Sequence, residues 1–331
     1  MKFAIAYVIG DSVEHDKMCG RYGSYSNAQS LCRHCSCPIY LSNNTFYNYP
    51  RSNRSSIDPT FKLFLPSDLI QDSHQDDHYF KSISHYPIDN AFHKLQFGSG
   101  NPNNIHMATP AESLHMHKLG VEKRAYDGFR DFVYTGAGGI RTHKPAYNFL
   151  LSLSRRYGTL LTRQSDRDFP RTNCSPNSNN TKKEGSEFAG GILTYILAMV
   201  SDGGRHVLHN CARVPNDKIQ EQVEMMQLVL GMNRFLSCGQ LTKEEQKRLP
   251  RVIAYFVQKV SDNIHRKTEQ LLKFHLYYHL HKYTQLWGPP CGWDSSFNES
   301  HHKTEIKAPA QNTQSNPSKL IKQTIDRLME Y

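Results

Sequence analysis

Cys32 and Cys35, near the start of the chain, have the spacing of half a zinc site. Two thiolates separated by two residues can both reach one tetrahedral ion, because the turn between them points both sulfur atoms inward. The pair supplies only two of the four ligands that a structural zinc ion takes. Further candidate ligands are Cys19, His34, Cys37, His85 and His93. A redox role would need a thioredoxin-like strand–helix–strand setting, which the surrounding sequence lacks; zinc is therefore preferred, and an inert pair of thiols is the alternative.

His275 and His279 form a second pair with metal-binding spacing. If their segment is helical, the two rings lie one turn apart on one face and could bind one metal. The segment lacks the glutamate that follows the first histidine in the His-Glu-x-x-His motif of metalloproteases, so no general base is built in. Because leucine and tyrosine lie between the two histidines, packing in a core is the preferred interpretation.

Asp11 directly follows an apolar run, Phe3 to Gly10, that is typical of a short strand buried on both faces. A carboxylate at the carboxyl end of such a strand is where α/β folds place functional groups, and Glu14 and Asp16 follow closely. Mg²⁺ prefers one or two carboxylates together with substrate phosphate. Asp11 is thus a candidate metal ligand, and a turn aspartate that caps the next helix is the alternative.

Glu299 is the candidate partner of Asp11 from the other end of the chain. A helix is predicted to begin at Ser295 or Ser296 and to continue through Ile306. Glu299 falls in its first turn, where the helix dipole favours a negative charge. His302 and Lys303 lie three and four residues farther on and share its face, which could hold a metal and contact phosphate. An exposed polar helix without a ligand is the alternative.

The composition favours an anionic partner and a reducing compartment. The 331 residues carry a net charge of +10, which is compatible with a soluble basic protein but also with binding to nucleic acid. Eight cysteines are too few for a disulfide scaffold of this length, and four of them cluster near the start, which favours metal binding inside the cell over secretion. No apolar run is long enough to span a membrane.

Apart from the strand-like start, the sequence predicts helices. Capping residues, proline positions and apolar spacing predict helices over residues 109–134, 145–161, 184–201, 218–236, from a capping box at 242–245 onward, and over 320–329. Residues 274–286 are aromatic and rich in histidine. Polar loops are predicted at 41–56 and 173–183. The expected fold is therefore mixed α/β and mainly helical.

Three stretches in a fixed order resemble one family of enzymes. They are Val8-Ile-Gly-Asp11 with Cys19 and the Cys32–Cys35 pair, then Asn90 to His93 and Ala108 through His115 to Gly120, then His275 to the Trp287-Gly-Pro-Pro turn followed by Glu299 to Lys303. In this order they resemble transposases of eukaryotic cut-and-paste elements of the Plavaka and Kyakuja–Dileera–Zisupton type. The order is more telling than any single stretch.

The resemblance implies a partial RNase H-like core with a long α-helical insertion. Asp11 would be the second and Glu299 the third metal-binding carboxylate, with Mg²⁺ or Mn²⁺ supporting two-metal phosphoryl transfer on DNA. His302 and Lys303 would contact the DNA, and Zn²⁺ would be structural. The domains implied are 1–40 for the strand and cysteine knuckle, 41–286 for the insertion, and 287–331 for the third-carboxylate helix and a C-terminal amphipathic helix. A nuclear location would follow, with the oligomeric state left open.

The sequence departs from the family at the first catalytic aspartate. That residue belongs to a strand upstream of the one that would end at Asp11, and only ten residues precede Asp11. We therefore expect an N-terminally truncated transposase-like chain whose strand cleavage is impaired when it acts alone. The alternative from another class is a non-catalytic zinc- and nucleic-acid-binding protein. An unrelated helical interaction protein, which would bind neither metal nor DNA, is a further alternative.

Overall fold

The computed structural model describes eleven stretches of the chain. They are residues 7–9, 12–21, 32–34, 85–86, 92, 95, 97, 105–135, 144–161, 185–264 and 272–295, and every structural statement below concerns these residues. The predicted loops at 41–56 and 173–183 and the C-terminal helix at 320–329 lie outside them.

Helices make up most of the described chain. In chain order the α-helices are α1 Ser12–Met18, α2 Lys123–Thr135, α3 Lys144–Leu160, α4 Gly185–Val200, α5 Asp202–His206, α6 Asn216–Leu236, α7 Lys243–Asn263, α8 Leu272–Tyr277 and α9 Leu280–Trp287. Two π-helical segments, π1 Leu114–Glu122 and π2 Val207–Cys211, run directly into or out of α-helices, and a 3₁₀ turn, Pro290–Trp293, follows α9. The expectation of a mainly helical fold is confirmed.

The described residues contain no β-strand. Tyr7, Val8 and Ile9, from the predicted strand, have no regular secondary structure there, although the Val8 N–H donates to the Ala108 carbonyl at 2.7 Å. A single antiparallel bridge joins Arg21 to His85. The remainder of the Phe3–Gly10 run lies outside the described residues, so the RNase H-like core stays a proposal.

The cap at Thr242 confirms the sequence prediction, and the cap at Thr109 does not. The Thr242 hydroxyl accepts from the Glu245 N–H at 3.2 Å, and the Glu245 carboxylate accepts from the Thr242 N–H at 2.8 Å. The Thr109 hydroxyl instead donates to the Ile105 and His106 carbonyls at 3.1 Å, because residues 105–108 form a turn. The following helix therefore begins five residues later than predicted, at Leu114, and in π form.

Aromatic rings on α2 and α4 form the centre of the main core. Tyr195 of α4 stacks on Phe129 of α2 with ring centroids 4.1 Å apart and on Tyr126 with centroids 5.0 Å apart. All three rings are buried, and such pairs contribute beyond the area that they bury. A Ser154–Thr194 hydrogen bond of 2.7 Å joins α3 to the same helix. These contacts join α2, α3 and α4 in one core.

The N-terminal residues pack against elements from the far end of the chain. The Tyr7 hydroxyl donates to the Gly292 carbonyl at 2.8 Å, and its ring lies 5.6 Å from that of Trp287. The Trp287 indole N–H donates to the Met107 carbonyl at 3.0 Å. Three segments, around residues 7, 107 and 287–292, thus meet at the end of α9. Among the described helices, none has the length and apolar character needed to cross a membrane.

Candidate metal centre

Three buried side chains from distant segments converge on one point. The Cys32 Sγ lies 3.3 Å from the His279 Nε2, and that nitrogen lies 3.0 Å from the His275 Nε2. All three ligand atoms lie within 4.8 Å of one another, and each side chain is at most 1% exposed. Within the described residues, this is the group of cysteine, histidine or acidic side chains placed to hold a metal ion.

The junction of α8 and α9 positions the two histidines. His275 lies in α8, and His279 is the residue just before α9. Between the two helices, the Tyr278 N–H donates to the His275 carbonyl at 3.0 Å and the His279 N–H to the Leu276 carbonyl at 3.1 Å. These tighter turns separate the two helices but keep both rings on one side. Residues 272–287 are therefore two short helices rather than one continuous helix.

Reciprocal hydrogen bonds hold the cysteine segment against residues 105–109. The His34 Nδ1 lies 2.7 Å from the His106 carbonyl oxygen, and the His106 Nδ1 lies 2.8 Å from the Arg33 carbonyl oxygen. Because a carbonyl only accepts, each Nδ1 carries the proton and donates it. The Arg33 Nε also donates to the Thr109 carbonyl at 3.4 Å. Residues 32–34 are thus fixed at both main chain and side chain.

Asp16, one of the acidic residues that follow Asp11, has a structural partner. Its carboxylate accepts from the Arg33 guanidinium at 3.3 Å, and both side chains are buried. Although burial opposes the charge of Arg33, the pKa of its guanidinium is raised, and Asp16 is the largest favourable cause. A buried ion pair loses much stability when one partner is removed. Asp16 therefore holds the cysteine segment to α1.

The electrostatics of the site favour a neutral imidazole at His275. Burial lowers the pKa of His275, and the neighbouring Cys32 offsets part of that effect. Burial likewise holds the pKa of His34 well below 6.5. The His34 N–H donates to the Cys32 Sγ at 3.4 Å, which stabilises negative charge on sulfur. Neutral imidazole and thiolate are the forms that bind Zn²⁺.

The separations between the ligand atoms fit a tetrahedral zinc ion. With Zn–N near 2.05 Å and Zn–S near 2.3 Å, tetrahedral angles place two nitrogens about 3.3 Å apart and a nitrogen and sulfur about 3.6 Å apart. The observed 3.0 and 3.3 Å are each about 0.3 Å shorter, so a small outward movement of the side chains would admit the ion. Cys35, the natural fourth ligand from the sequence, lies outside the described residues.

The other residues predicted for a site are placed as follows. Cys19 is buried beside Thr109, with its Sγ 3.6 Å from that hydroxyl oxygen, and burial raises the pKa of its thiol to about 11. It belongs to a small apolar cluster with Phe97, Ile105 and Ala108 rather than to the Cys32 group. Asp11, Cys37, His93, Glu299, His302 and Lys303 lie outside the described residues.

The sequence contained both halves of this group but not their connection. The Cys32–Cys35 spacing indicated two ligands, and His275 and His279 indicated two more, although core packing was preferred for that pair. Counting ligands could have connected the two pairs, because two incomplete pairs together supply the four ligands of a Cys₂His₂ site.

No family model matches the chain, and no curated protein matches it.

Proposed function

We propose that Cys32, Cys35, His275 and His279 form a structural zinc site that fastens the N-terminal segment to the helical body. The observation that carries this proposal is the convergence of the Cys32 sulfur with two histidine nitrogens, although Cys32 and His279 lie 247 residues apart in sequence. Cys35 supplies the fourth ligand through the two-residue spacing that suits tetrahedral zinc.

A structural role follows from burial and ligand number. Catalytic zinc sites use three protein ligands and keep one position open for water or substrate, whereas structural sites are closed by four. The three described ligands are buried and lie next to the main core. Four protein ligands in such surroundings leave the ion without a coordination position for substrate.

Zinc content and cobalt spectroscopy test the site. The purified chain is expected to hold one equivalent of zinc, lost on substitution of any one ligand as Cys32→Ser, Cys35→Ser, His275→Ala or His279→Ala. At Co²⁺ concentrations high enough to fill the weakened site, sulfur-to-metal charge-transfer absorption should halve in Cys35→Ser if two thiolates bind the ion. Cys211→Ser at an exposed cysteine and His281→Ala beside the site are the matched controls. Zinc retained in both Cys32→Ser and His279→Ala would refute the proposal.

A second candidate, transposase-like phosphoryl transfer, has one specific observation in its favour. Tyr7 lies four residues before Asp11, Gly292 lies seven residues before Glu299, and the Tyr7 hydroxyl bonds the Gly292 carbonyl at 2.8 Å. The stretches of chain that lead to Asp11 and to Glu299 are thus in contact at Tyr7 and Gly292. On this proposal the two carboxylates share Mg²⁺ or Mn²⁺, the helical body is an insertion in an RNase H-like core, and the basic chain contacts DNA in the nucleus.

Divalent-metal binding and DNA nicking test the second candidate. Mn²⁺ binding by the purified chain is expected to fall in both Asp11→Ala and Glu299→Ala, with Glu244→Ala on the surface of α7 as the control. Any Mn²⁺-dependent nicking of DNA by the purified chain is expected to be lost in both variants and kept in Glu244→Ala. Nicking that neither variant affects would refute the assignment of the residues.

Salt dependence separates the second candidate from its non-catalytic alternative. A zinc- and nucleic-acid-binding protein would bind DNA with an affinity that falls steeply as salt rises, and would not cleave it. DNA binding without nicking, unchanged in Asp11→Ala and Glu299→Ala, would favour this alternative.

A further inference from the structure

A second buried polar cluster lies where π1 contacts α8. It consists of His117 and Glu122 of π1 and Tyr277 of α8, all of them fully buried. Tyr277 lies two residues after His275, so the cluster and the metal centre share one helix of six residues. A helix this short has little stability of its own and depends on tertiary contacts.

His117 links three elements through both ring nitrogens. Its Nε2 lies 3.1 Å from the Val229 carbonyl oxygen of α6, so Nε2 carries the proton and donates it. Its Nδ1 is then an acceptor and receives the hydrogen bond of the Tyr277 hydroxyl. Burial lowers the pKa of His117 to about 3, which keeps this tautomer neutral. The Tyr277 end of α8 is thereby fixed to π1 and α6.

Glu122 lies beside this hydrogen bond without joining it. Its Oε1 is 3.8 Å from the His117 Nε2, beyond hydrogen-bonding distance, and neither carboxyl oxygen has a hydrogen-bond partner among the described residues. An unpaired carboxylate in such a place carries a large desolvation cost. Burial accordingly raises the pKa of Glu122 to about 8.

The charged groups around Glu122 do not neutralise it. Lys118 of π1 is the cation that acts on it, but the Lys118 ammonium pairs with Asp294 at 3.2 Å. The other charged side chains on elements packed against π1 are Lys123, Arg124, Asp127, Arg130 and Asp131 of α2, Glu187 of α4, Asp217, Lys218, Glu221, Glu224 and Arg234 of α6, and Lys273 of α8. None of the residues in this second group shifts the pKa of Glu122.

The Lys273 side chain of α8 lies against Gly120 of π1, where a Cβ would come within 2.6 Å of the Lys273 Cδ. This contact and the hydrogen bond between His117 and Tyr277 join π1, which carries Glu122, to α8, which carries His275.

Building on the proposed zinc site, we propose that Glu122, His117 and Tyr277 are positioning residues for the metal centre, and that α8 docks in metal-binding position more readily while Glu122 carries its proton. Metal binding is then accompanied by the uptake of one proton at Glu122, whereas the metal ligands release protons when they bind the ion. The neutral carboxyl is tolerated in the interior, whereas the ionised one favours an open α8 in which water reaches it.

Metal affinity as a function of pH tests this coupling. Co²⁺ and Zn²⁺ affinities of the wild-type chain and of Glu122→Gln are measured from pH 6 to 9.5 by competition with a chelator. The ratio of wild-type to variant affinity should fall as pH rises to 8, by up to about tenfold per pH unit, and stay constant above 8. Glu122→Leu, neutral and of similar size, should behave as Glu122→Gln does. The exposed Glu244→Gln should show the wild-type pH profile.

Two further measurements separate the failure of this inference from failure of the zinc site. Tyr277→Phe removes the hydroxyl that bonds His117 and should lower metal affinity at every pH without changing the cobalt spectrum of the saturated protein. Equal pH profiles for the wild-type chain and Glu122→Gln would overturn the coupling while leaving the zinc site intact. Absence of metal binding at every pH would overturn both, and melting of the metal-free proteins would still show whether Glu122→Gln flattens the dependence of stability on pH.

Discussion

At the scale of single residues, Cys32 and Cys19 are equally buried but differ in what surrounds them. Cys32 faces two imidazole nitrogens, whereas Cys19 has a threonine hydroxyl and apolar neighbours. A thiol in the second setting keeps its proton and acts as a small apolar side chain. The two residues therefore form a natural pair for separating metal binding from packing.

Cys32→Ser is expected to lose the stability that zinc supplies, and Cys19→Ser is not. With free zinc at about a thousand times its Kd, binding contributes about 4 kcal/mol to the free energy of unfolding. Denaturant unfolding with and without chelator measures this difference. The chelator should destabilise the wild-type chain and Cys19→Ser by similar amounts and leave Cys32→Ser unchanged. Equal chelator sensitivity in all three proteins would place the metal elsewhere.

His15 gives a prediction for acid pH. Burial, with the nearby Arg33 charge, lowers its pKa from 6.5 to about 3. The unfolded chain therefore binds one more proton between these values, and stability falls by about 1.4 kcal/mol for each pH unit below 6.5, down to pH 3. In denaturant unfolding across that range, His15→Leu should lower the dependence of the free energy of unfolding on pH by about 1.4 kcal/mol per pH unit. The same change at exposed His209, whose ring is already in water, is the control; identical slopes in both variants would contradict the assignment.

At the scale of elements, glycines in α4 and α6 have opposite surroundings. A Cβ at Gly191 of α4 would lie 2.4 Å from the Tyr126 Cε2, and the Tyr126 ring is held by its stack with Tyr195. A Cβ at Gly231 of α6 would meet no atom within 4 Å.

Because of these surroundings, a glycine-to-alanine substitution should change stability in opposite directions at the two positions. Gly191→Ala should destabilise by about 1–3 kcal/mol, because displacing a packed ring outweighs the gain in helix propensity. Gly231→Ala should stabilise by up to about 1 kcal/mol through that propensity alone. Thermal unfolding of the two variants measures both effects. If Gly191→Ala is as stable as Gly231→Ala, then α2 and α4 pack less closely than described.

Sequence patterns predicted an element correctly where residues close together in the sequence determine its structure. The Thr242–Glu245 capping box set the start of α7, since both partners lie within one turn. The same logic failed at Thr109, because its hydroxyl turns back to carbonyls that come before it. Nothing in helix periodicity distinguishes the π form of residues 114–122 from an α-helix.

The candidate site could be predicted only in halves. Spacing identified Cys32 with Cys35 and His275 with His279, because each pair is defined within a few residues. Their meeting depends on how residues 105–109 and the α8–α9 junction pack, which no local pattern encodes. The Glu122 cluster had no sequence signal at all, since a glutamate next to a lysine is typical of an exposed helix face.

At the scale of the whole molecule, the proposed zinc site and the Tyr7–Gly292 hydrogen bond hold the same junction. Both join N-terminal residues to the stretch 272–295, whereas the stacked rings of α2 and α4 take part in neither contact. The chain's two tryptophans, Trp287 and Trp293, both lie in that stretch, so intrinsic fluorescence reports on the junction.

Removal of zinc should therefore loosen one part of the molecule before the other. Amide hydrogen exchange with and without chelator is expected to show faster exchange at residues 12–21, 32–34 and 272–287, with little change in α2 and α4. Tryptophan emission should shift to longer wavelength in the same titration, because the core of α2 and α4 keeps its packing while the indoles at the junction gain water. His279→Ala should show this exchange pattern without chelator, and His281→Ala should match the wild type. Uniform acceleration of exchange across α2, α4 and the junction would mean that the metal supports the whole fold rather than the attachment of its two ends.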